Sequence, residues 1–290
     1  MIVVKLIGGL GNQLFQYALG RHLAIKNNTL LKLDLSFLRA RPENADYIFR
    51  DYELNVFKIN ENFATDKEIA KYHTMSKATK GLNKIIQKIM QYKIVNEKEP
   101  FVYDEEILNS PKKSLLCGFW QNEKYFSEIE NIIRKEFAFK QNPDSINLKS
   151  IEKIKSTESI SIHIRRYNPA SDIYHGLCDM EYYEKAIKVI SQKSSNPYFY
   201  IFSDDISWCK KNFKSENHTF DFIEHNADRS YEDLRLMLNC KHHIIANSTF
   251  SWWGAWLCAN KDKIIIAPQK WLNTDKYQTK ELFLQNWIKL

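Results

Sequence analysis

The sequence contains few of the residues that mark fibrous, linker-rich or disulfide-stabilised proteins. Glycine occurs 8 times and proline 7 times in 290 residues, which excludes collagen-like chains and long flexible linkers. The 5 cysteines are odd in number and widely spaced, and no two of them have the spacing of a zinc or redox motif. We therefore expect reduced thiols in a cytoplasmic protein.

Long apolar runs are also missing. No segment approaches the roughly 18 apolar residues that a membrane-spanning helix requires. The apolar stretch at residues 2–10 is interrupted by Lys5 and has no small-residue cleavage site after it, so we expect no signal peptide. Residues 80–93 have an amphipathic helical pattern, which favours packing on the protein's own core. Peripheral contact with the inner face of a membrane is the alternative.

The overall composition is that of a folded globular protein. Hydrophobic residues make up 44% and charged residues 27% of the chain, a balance that argues against disorder. Lysine and arginine number 42 against 35 aspartates and glutamates, which gives a net charge of +7. This diffuse surplus suits an anionic partner such as a phosphorylated substrate, a membrane surface or nucleic acid. Solvated lysines on helix faces account for most of it.

The chain begins with a pattern typical of a parallel sheet. Residues 2–7 are almost continuously apolar, as in a strand buried on both faces, and three glycines within residues 8–11 supply a turn. A helical pattern starts at Asn12 and stops near residues 27–28, and residues 30–35 form the next strand. This order of strand, turn, helix and strand indicates an α/β fold.

Two further elements and a linker complete the first half. Residues 114–121 predict another strand and residues 122–137 a helix. The polar stretch from Gln141 to Asn147 lacks periodicity and contains a proline, so we interpret it as a linker. The predicted domains are therefore residues 1–142 and residues 148–290.

The second half repeats one arrangement, in which apolar strands end abruptly in polar residues. Helical patterns separate the first four strands, and ligands of open α/β sheets bind at the carboxyl ends of such strands. The predicted strands are Ser159–Ile164, Tyr198–Phe202, Thr219–Ile223, His242–Ala246 and Lys263–Ala267.

Two adjacent arginines follow the first of these strands. The two-residue period of a strand puts His163 and Arg165 on one face and Arg166 on the other. The guanidinium fork suits bidentate binding of phosphate, although salt bridges to acidic residues explain the two arginines equally well by themselves. The polar endings of the neighbouring strands favour phosphate.

The segment from Ile244 to Gly254 predicts a strand, a hydroxyl-rich turn and a helix that opens near Thr249. Free N–H groups at a helix N-terminus attract phosphate, and hydroxyl groups add donors. A helix cap needs only one such residue. Asn247 and the three hydroxyls of Ser248, Thr249 and Ser251 exceed that need. Of the two tryptophans that follow, we interpret Trp253 as a core residue.

The glycine-rich segment Gly8–Gln13 resembles a phosphate-cradling turn in composition but matches neither the P-loop nor the dinucleotide fingerprint. The sequence has no D-x-D triplet, no His/Cys cluster with metal spacing and no G-x-S-x-G nucleophile elbow. A phosphorylated leaving group would then depend on Arg165, Arg166 and helix N-termini rather than on Mg²⁺.

Several motifs together resemble the α-1,2-fucosyltransferases of glycosyltransferase family 11, in matching order over nearly the whole chain. The resemblance implies two Rossmann-like lobes of GT-B type with mainly parallel sheets. It implies inverting, metal-free transfer of fucose from GDP-β-L-fucose to the 2-hydroxyl of a terminal galactose, as in O-antigen synthesis. No cofactor is expected, because GDP-fucose is a substrate. The motifs are Gly8-Gly9-Leu10-Gly11-Asn12-Gln13-Leu14-Phe15-Gln16-Tyr17-Ala18, Gly118-Phe119-Trp120-Gln121, His163-Ile164-Arg165-Arg166, Phe202-Ser203-Asp204-Asp205 with Trp208-Cys209, and Asn247 through Trp256.

The resemblance also implies roles for individual residues. The catalytic set is Arg165, His163 and Asn12, with Arg165 neutralising the charge that grows on the β-phosphate. The acceptor is expected at Gln13 and Trp120, in the N-terminal lobe. The donor-binding residues implied are Gly11, Arg165, Arg166, Ser203, Asp204, Asn247, Ser248, Thr249 and Ser251.

One motif departs from the family pattern. The family continues the two arginines with Gly-Asp-Tyr, whereas this chain has Tyr167-Asn168-Pro169, and Asp172 is out of register. The general base is therefore unassigned, and a catalytically impaired protein that binds a nucleotide sugar or glycan is the alternative function. An RNA-binding protein is a third, which the scattered aromatics and the dominance of lysine disfavour. The expected partners are GDP-fucose and a galactose-terminated oligosaccharide or glycolipid, not nucleic acid.

Overall fold

The chain builds two parallel β-sheets, each inside its own compact unit. The computed structural model describes residues 1–41, 49–78, 92–166 and 176–290. One unit comprises Met1–Lys140 with Lys280–Leu282, and the other comprises Gln141–Thr279 with Phe283–Leu290.

The first sheet has four strands in the order β2-β1-β4-β3, and all neighbouring strands run parallel. The strands are β1 (Ile2–Lys5), β2 (Leu31–Asp34), β3 (Tyr92–Asn96) and β4 (Lys113–Cys117). The helices of this unit are α1 (Leu10–Lys26), α2 (Ser36–Arg39), α3 (Asp66–Ala78) and α4 (Glu130–Glu136). Short 3₁₀ turns occur at Leu54–Val56, Glu105–Asn109, Glu123–Tyr125, Ser127–Ile129 and Lys280–Leu282.

The opening of the chain folds as its apolar pattern predicts. The apolar residues of β1 are fully buried, and Gly8 then reverses the chain with a positive φ of 79°. Helix α1 packs closely on the sheet, because a Cβ at Gly20 would lie only 2.8 Å from the side chain of Leu31. The helix ends at Lys26, and Asn28, just after it, has a positive φ of 44°. The predicted order of strand, turn, helix and strand is confirmed.

The second sheet has six strands in the order β10-β9-β8-β5-β6-β7, again with parallel neighbours. The strands are β5 (Glu158–Ile164), β6 (Pro197–Ser203), β7 (Thr219–Phe222), β8 (His242–Ile244), β9 (Ile265–Ala267) and β10 (Ile288–Lys289). The helices are α5 (Ser145–Ser156), α6 (Met180–Ser191), α7 (Ile206–Asn212), α8 (Ser230–Asn239) and α9 (Thr249–Leu257).

Helices cover both faces of the second sheet, as the side chains of β6 show. Phe199 and Ile201 point into a core cluster that includes residues of α6. Tyr200 and Phe202 alternate with them and join a separate cluster with residues of α5 and α8. A parallel sheet with a buried core on each face is the doubly wound arrangement. The predicted α/β class, with two Rossmann-like units and mainly parallel sheets, is confirmed.

Some predicted elements differ from the structure. The strand predicted at residues 114–121 ends at Cys117, because Glu97 holds the next three residues in a turn through two backbone N–H groups. The helix predicted at residues 122–137 is split into two 3₁₀ turns and α4. The predicted linker ends early, since Asp144 caps α5 by accepting from the N–H of Asn147. Strands β3 and β10 were not predicted.

Two sequence features lie outside the described residues. They are most of the amphipathic pattern, residues 80–91, and the departure from the family motif at residues 167–172. Within the described ranges, every helix is too short or too polar to cross a lipid bilayer. All five cysteines are free thiols, as the spacing predicts.

The second sheet buries three histidines, His163 on β5 and His242 and His243 on β8, and two of them have strongly shifted pKa values. A ring nitrogen of His243, Nδ1, lies 2.8 Å from the hydroxyl of Ser161 on the adjacent strand. Burial, together with nearby positive charge, lowers the pKa of the His163 and His243 imidazoles to about 3. Both side chains are therefore neutral in the folded protein at physiological pH.

These pKa shifts predict that acid destabilises the fold. The unfolded imidazole takes up a proton near pH 6.5, whereas the folded one stays neutral down to about pH 3, so unfolding becomes more favourable as the pH falls. His243→Asn keeps a polar atom near Ser161 but cannot titrate. Between pH 6.5 and pH 4, we expect the free energy of unfolding of the wild type to fall by roughly 3 kcal/mol relative to that of the variant, so that this stability gap shrinks.

Urea unfolding followed by circular dichroism at each pH measures this gap. The control is His73→Asn, because His73 is exposed on α3 and its imidazole meets water in both states. A gap for His243→Asn that stays constant with pH would show that protonation of this histidine is not linked to unfolding.

Candidate active site

The strand register brings the polar strand endings of the second unit to one edge of the sheet. Strand β5 pairs with β6 up to Ile164 beside Ser203, so the arginines that follow β5 lie next to Asp204. On its other side, β5 pairs with β8 through Ile162 and Ile244, and the hydroxyl-rich turn follows β8. The predicted convergence of these segments is a consequence of parallel pairing.

His163 supplies a buried, neutral ring at this edge. Its ring centroid lies 5.5 Å from that of Phe250 in α9, and its backbone carbonyl accepts a hydrogen bond from Tyr183. The Nδ1 atom has no partner among the described residues. Desolvation is the main cause of its lowered pKa, and the positive charge of Arg165 lowers the pKa further. A neutral imidazole can form hydrogen bonds to a ligand but is a weak base.

The two arginines lie beyond the end of β5, in the following loop. The Arg166 guanidinium stacks 4.1 Å above the ring of Trp208 in α7, a cation–π contact that the sequence did not predict. The backbone N–H of Arg166 donates to the carboxylate of Asp204 at 2.7 Å. Trp208 and Asp204 thus hold Arg166 against the segment that follows β6.

Ser203 and its neighbours shape the turn after β6. The hydroxyl of Ser203 accepts from the N–H of Asp205 at 3.0 Å, and Asp205 caps α7 by accepting from the N–H of Trp208 at 2.9 Å. Ser203 is half-buried and Asp204 is exposed. The turn therefore presents the Asp204 carboxylate at the same edge as the arginines.

The turn before α9 is held by its own polar side chains. The amide of Asn247 donates to the carbonyls of Gly176 and Trp271, each at 3.2 Å. Ser251 is fully buried, and its hydroxyl donates to the carbonyl of Ser248 at 3.2 Å. Asn247 and Ser251, which the sequence assigned to the donor, thus have contacts that fix the turn. No sequence pattern pointed to Gly176 or Trp271, because these residues come into contact with Asn247 only when the chain folds.

At the start of α9 the backbone carries the anion-binding potential. The N–H of Trp252 is the first to donate within the helix, to the carbonyl of Ser248. As in every α-helix, the first N–H groups have no carbonyl one turn earlier within the helix to which they could donate. Ser248 is buried and Thr249 is half-buried. This end of α9 therefore combines partial positive charge with hydroxyl groups at the edge that also carries Arg165.

The glycine-rich turn of the first unit is closed by the protein itself. Gln13 is fully buried; its amide donates to the carbonyls of Gly8 at 2.9 Å and Asp51 at 2.7 Å, and accepts from the N–H of Glu53. The carboxylate of Glu53 accepts from the N–H of Leu10 at the start of α1. A carboxylate thus occupies the position at which the composition suggested phosphate, and Gln13 holds the loop in place.

The Gly118–Gln121 turn lies beside the glycine-rich turn and is joined to it by amides. Gln16 donates to the carbonyl of Gly118 at 3.0 Å, and Gln121 donates to the side chain of Asn12 at 3.0 Å. These contacts bring the predicted residues Asn12 and Trp120 into one region at the carboxyl edge of the first sheet. Gly11 is buried next to Asn12 in α1.

Glu97 fixes the backbone of this turn. Its carboxylate accepts from the N–H groups of Phe119 at 2.8 Å and Trp120 at 2.9 Å. Trp120 has a positive φ of 58° and is fully buried. Burial raises the pKa of the Glu97 carboxyl, and the two N–H groups offset part of that effect. The sequence did not single out Glu97, which directly follows the unpredicted β3.

In the described part of the chain, no three histidine, cysteine, aspartate or glutamate side chains come together as a metal site requires.

Comparisons with known proteins agree with the motif resemblance. The family model described as glycosyl transferase family 11 matches residues 1–290. An Escherichia coli alpha-1,2-colitosyltransferase is 35% identical over 303 residues, covering 100% of this chain and 99% of that protein. An Escherichia coli O-antigen biosynthesis glycosyltransferase, WbnK, is 31% identical over 309 residues, covering 98% of this chain and 99% of that protein.

Among solved structures, a mutant of Arabidopsis thaliana FUT1 in complex with GDP has 12% sequence identity and a TM-score of 0.45, and the match covers 91% of this chain and 70% of that one. Because the family model spans the full sequence and two relatives above 30% identity align along nearly their whole length, the chain is a glycosyltransferase of family 11.

Proposed function

We propose that the protein is an inverting α-1,2-fucosyltransferase that moves L-fucose from GDP-β-L-fucose to the 2-hydroxyl of a terminal galactose. Its motifs support this donor and linkage, and the relative named for O-antigen biosynthesis supports a surface polysaccharide as the acceptor. The observation that carries the proposal is the convergence of Arg165 and the start of α9 at one edge of the second sheet. That edge suits a diphosphate leaving group.

The chemistry follows from where charge develops. As the bond between fucose and GDP breaks, negative charge grows on the β-phosphate. The Arg165 guanidinium and the N–H groups of α9 stabilise that charge, with the hydroxyls of Ser248 and Thr249 as further donors. Arg166, held on Trp208, adds positive charge nearby. His163 stays neutral and hydrogen-bonds the sugar or phosphate.

The remaining assignments concern the nucleoside and the acceptor. Asp204 and Ser203 hold the nucleoside end, and Asn12 contributes to binding the acceptor at the first unit. The proton of the attacking hydroxyl leaves through water, because an oxocarbenium-like transition state demands little of the nucleophile. No metal or cofactor takes part in this mechanism.

A second candidate is transfer of colitose, the 3-deoxy counterpart of fucose. The relative with 35% identity is an α-1,2-colitosyltransferase, and this observation favours the related donor. The two candidates share leaving group, linkage and machinery. They differ only in whether the donor pocket accepts a hydroxyl at C3, which a comparison of GDP-fucose with GDP-colitose decides.

The third possibility is a protein that binds a nucleotide sugar without transferring it. It is motivated by Asn168, which stands where the family has a carboxylate. Tight binding of GDP with no turnover of either donor over a broad acceptor panel would favour it over the transferase.

We predict that Arg165→Ala lowers kcat by about 10²–10³-fold, the typical cost of removing one donor to a developing charge. The assay measures GDP release from each GDP-sugar with lactose or another galactoside, with the product linkage read by NMR. Arg39→Ala is the matched control, because Arg39 is exposed on α2 and has no assigned role. Turnover by Arg165→Ala near the wild-type rate would remove the phosphate role of this arginine.

We also predict that EDTA leaves the rate unchanged, since guanidinium and backbone N–H groups take the place of a cation. Rates are compared before chelation, after chelation and after addition of Mn²⁺ or Mg²⁺. A strict requirement for either ion would contradict the metal-free mechanism.

A further inference from the structure

A cavity of about 500 Å³ opens within the first unit, at the carboxyl edge of its sheet. It is lined by the segment that follows β3, residues 97–99 and 102–107, together with Trp120 and Tyr125. Its volume falls within the roughly 300–1,000 Å³ of small-molecule sites. Nothing in the proposed transfer of fucose uses this cavity.

The cavity is strongly acidic, although the chain as a whole carries a charge of +7. Its only lysine, Lys98, is bound at 3.0 Å to Asp104, and Glu106 lies 3.8 Å away. The carboxylates of its lining are those of Glu97, Glu99, Asp104, Glu105 and Glu106. Five carboxylates against the Lys98 ammonium leave the lining with an excess of negative charge, although Lys124 Nζ lies 5.5 Å from the centre of the Tyr103 ring. Such a cavity repels anions and tolerates uncharged or cationic ligands.

One buried polar group at the cavity has no partner. Trp120 is fully buried, and its indole Nε1 forms no hydrogen bond among the described residues. A Cβ placed on Gly118 would lie 2.9 Å from Trp120 Cε2, the atom bonded to Nε1, and 2.5 Å from Glu97 Cβ. The donor edge of the indole thus lies beside Glu97, and both residues line the cavity. A buried N–H without an acceptor is stabilised when a ligand oxygen supplies one.

Glu97 and the aromatic residues complement this donor. Each oxygen of Glu97 accepts one backbone N–H, and a carboxylate oxygen has a second lone pair for a hydroxyl group. The rings of Tyr103 and Tyr125 lie 5.0 Å apart at the wall, and Tyr125 contacts Trp120 edge-on at 6.0 Å. Aromatic rings with a few hydrogen-bonding groups form a surface that binds uncharged polyols.

The cavity adjoins Asn12, the residue of the first unit that is proposed to contact the acceptor. Trp120 belongs to the Gly118–Gln121 turn, and Gln121 in the same turn donates to Asn12. A ligand in the cavity is therefore separated from Asn12 by a single turn of the first unit. The terminal galactose at that region and a second group in the cavity can belong to one glycan.

We propose that this cavity binds the sugar residue next to the terminal galactose of the acceptor and selects acceptors in which that residue is uncharged. The inference rests on the proposed function. The indole of Trp120 and the carboxylate of Glu97 bind its oxygen and hydroxyl groups. The surrounding carboxylates exclude a sugar that carries its own carboxylate, such as a uronic acid.

The test uses two acceptors that differ in one group, a galactosyl-glucose and the matching galactosyl-glucuronate. We expect the wild type to prefer the neutral acceptor in kcat/KM by about tenfold or more, as several like charges within the cavity imply. In the triple variant Glu99→Gln, Glu105→Gln, Glu106→Gln the preference falls towards unity. An equal preference in wild type and triple variant overturns the proposal.

A matched control separates a local charge effect from a global one. Glu152→Gln, Glu184→Gln, Glu216→Gln removes three exposed carboxylates from the second unit and changes the net charge by the same amount. We expect it to keep the wild-type preference. A control variant that loses the preference as the cavity variant does would assign the selection to overall charge and overturn the proposal.

Trp120→Phe tests the indole N–H while retaining an aromatic ring. We expect KM for galactosyl-glucose to rise about tenfold, because an oxygen of the second sugar loses its hydrogen-bond donor, with KM for GDP-fucose unchanged. The KM for methyl galactoside, which has no second sugar, should not move. An equal rise for methyl galactoside would mean that the variant disturbs the turn, and would contradict a role of the indole in the cavity.

Ligand-observed saturation-transfer NMR of both disaccharides on the intact protein distinguishes this inference from the proposed function. Binding of the neutral disaccharide alone, which extends to the anionic one in the triple variant, supports the cavity even where no transfer is seen. Equal binding of both disaccharides to wild type overturns the cavity proposal even where fucose is transferred.

Discussion

The parallel pairing of β5 with β6 on one side and β8 on the other is the constraint on which the candidate site depends. The carboxyl ends of parallel strands lie at the same edge of a sheet. Strand pairing alone therefore brings Arg165, Asp204 and Thr249, which are far apart in sequence, to one edge. The strands are held in register by apolar side chains that are buried on both faces of the sheet. A slip of one residue would turn the core residues of β5 to the wrong face.

The two sheets use the same geometry to present opposite charges. At the edge of the second sheet, arginines and the start of α9 offer positive potential, which suits a diphosphate. At the edge of the first sheet, the cavity beside Glu97 is lined by five carboxylates, and another carboxylate, that of Glu53, occupies the N-terminus of α1. The proposed division of labour, an anionic donor on one unit and an uncharged glycan on the other, follows from this difference in charge.

Around both edges, buried side-chain amides and carboxylates hold loops in place through hydrogen bonds to backbone groups. Gln13, Gln16 and Asn247 each use a side-chain amide to bind backbone groups of other loops. Such side chains are fully engaged within the protein, and their hydrogen bonds satisfy backbone groups that irregular loops leave unpaired. This explains why a family motif can be rich in amides and hydroxyls although only some of them are placed to meet a ligand.

The sequence by itself determined the α/β class, the opening strand, turn and helix, and the strand endings of the second unit, because apolar periodicity and glycine placement are local signals. The motifs also identified the family. Only the tertiary structure decided that residues 118–121 form a turn, that Gln13 and Ser251 are buried, and that Glu97 lines an acidic cavity. These outcomes depend on partners far away in the chain, as between Gln16 and Gly118, and no local pattern encodes such a contact.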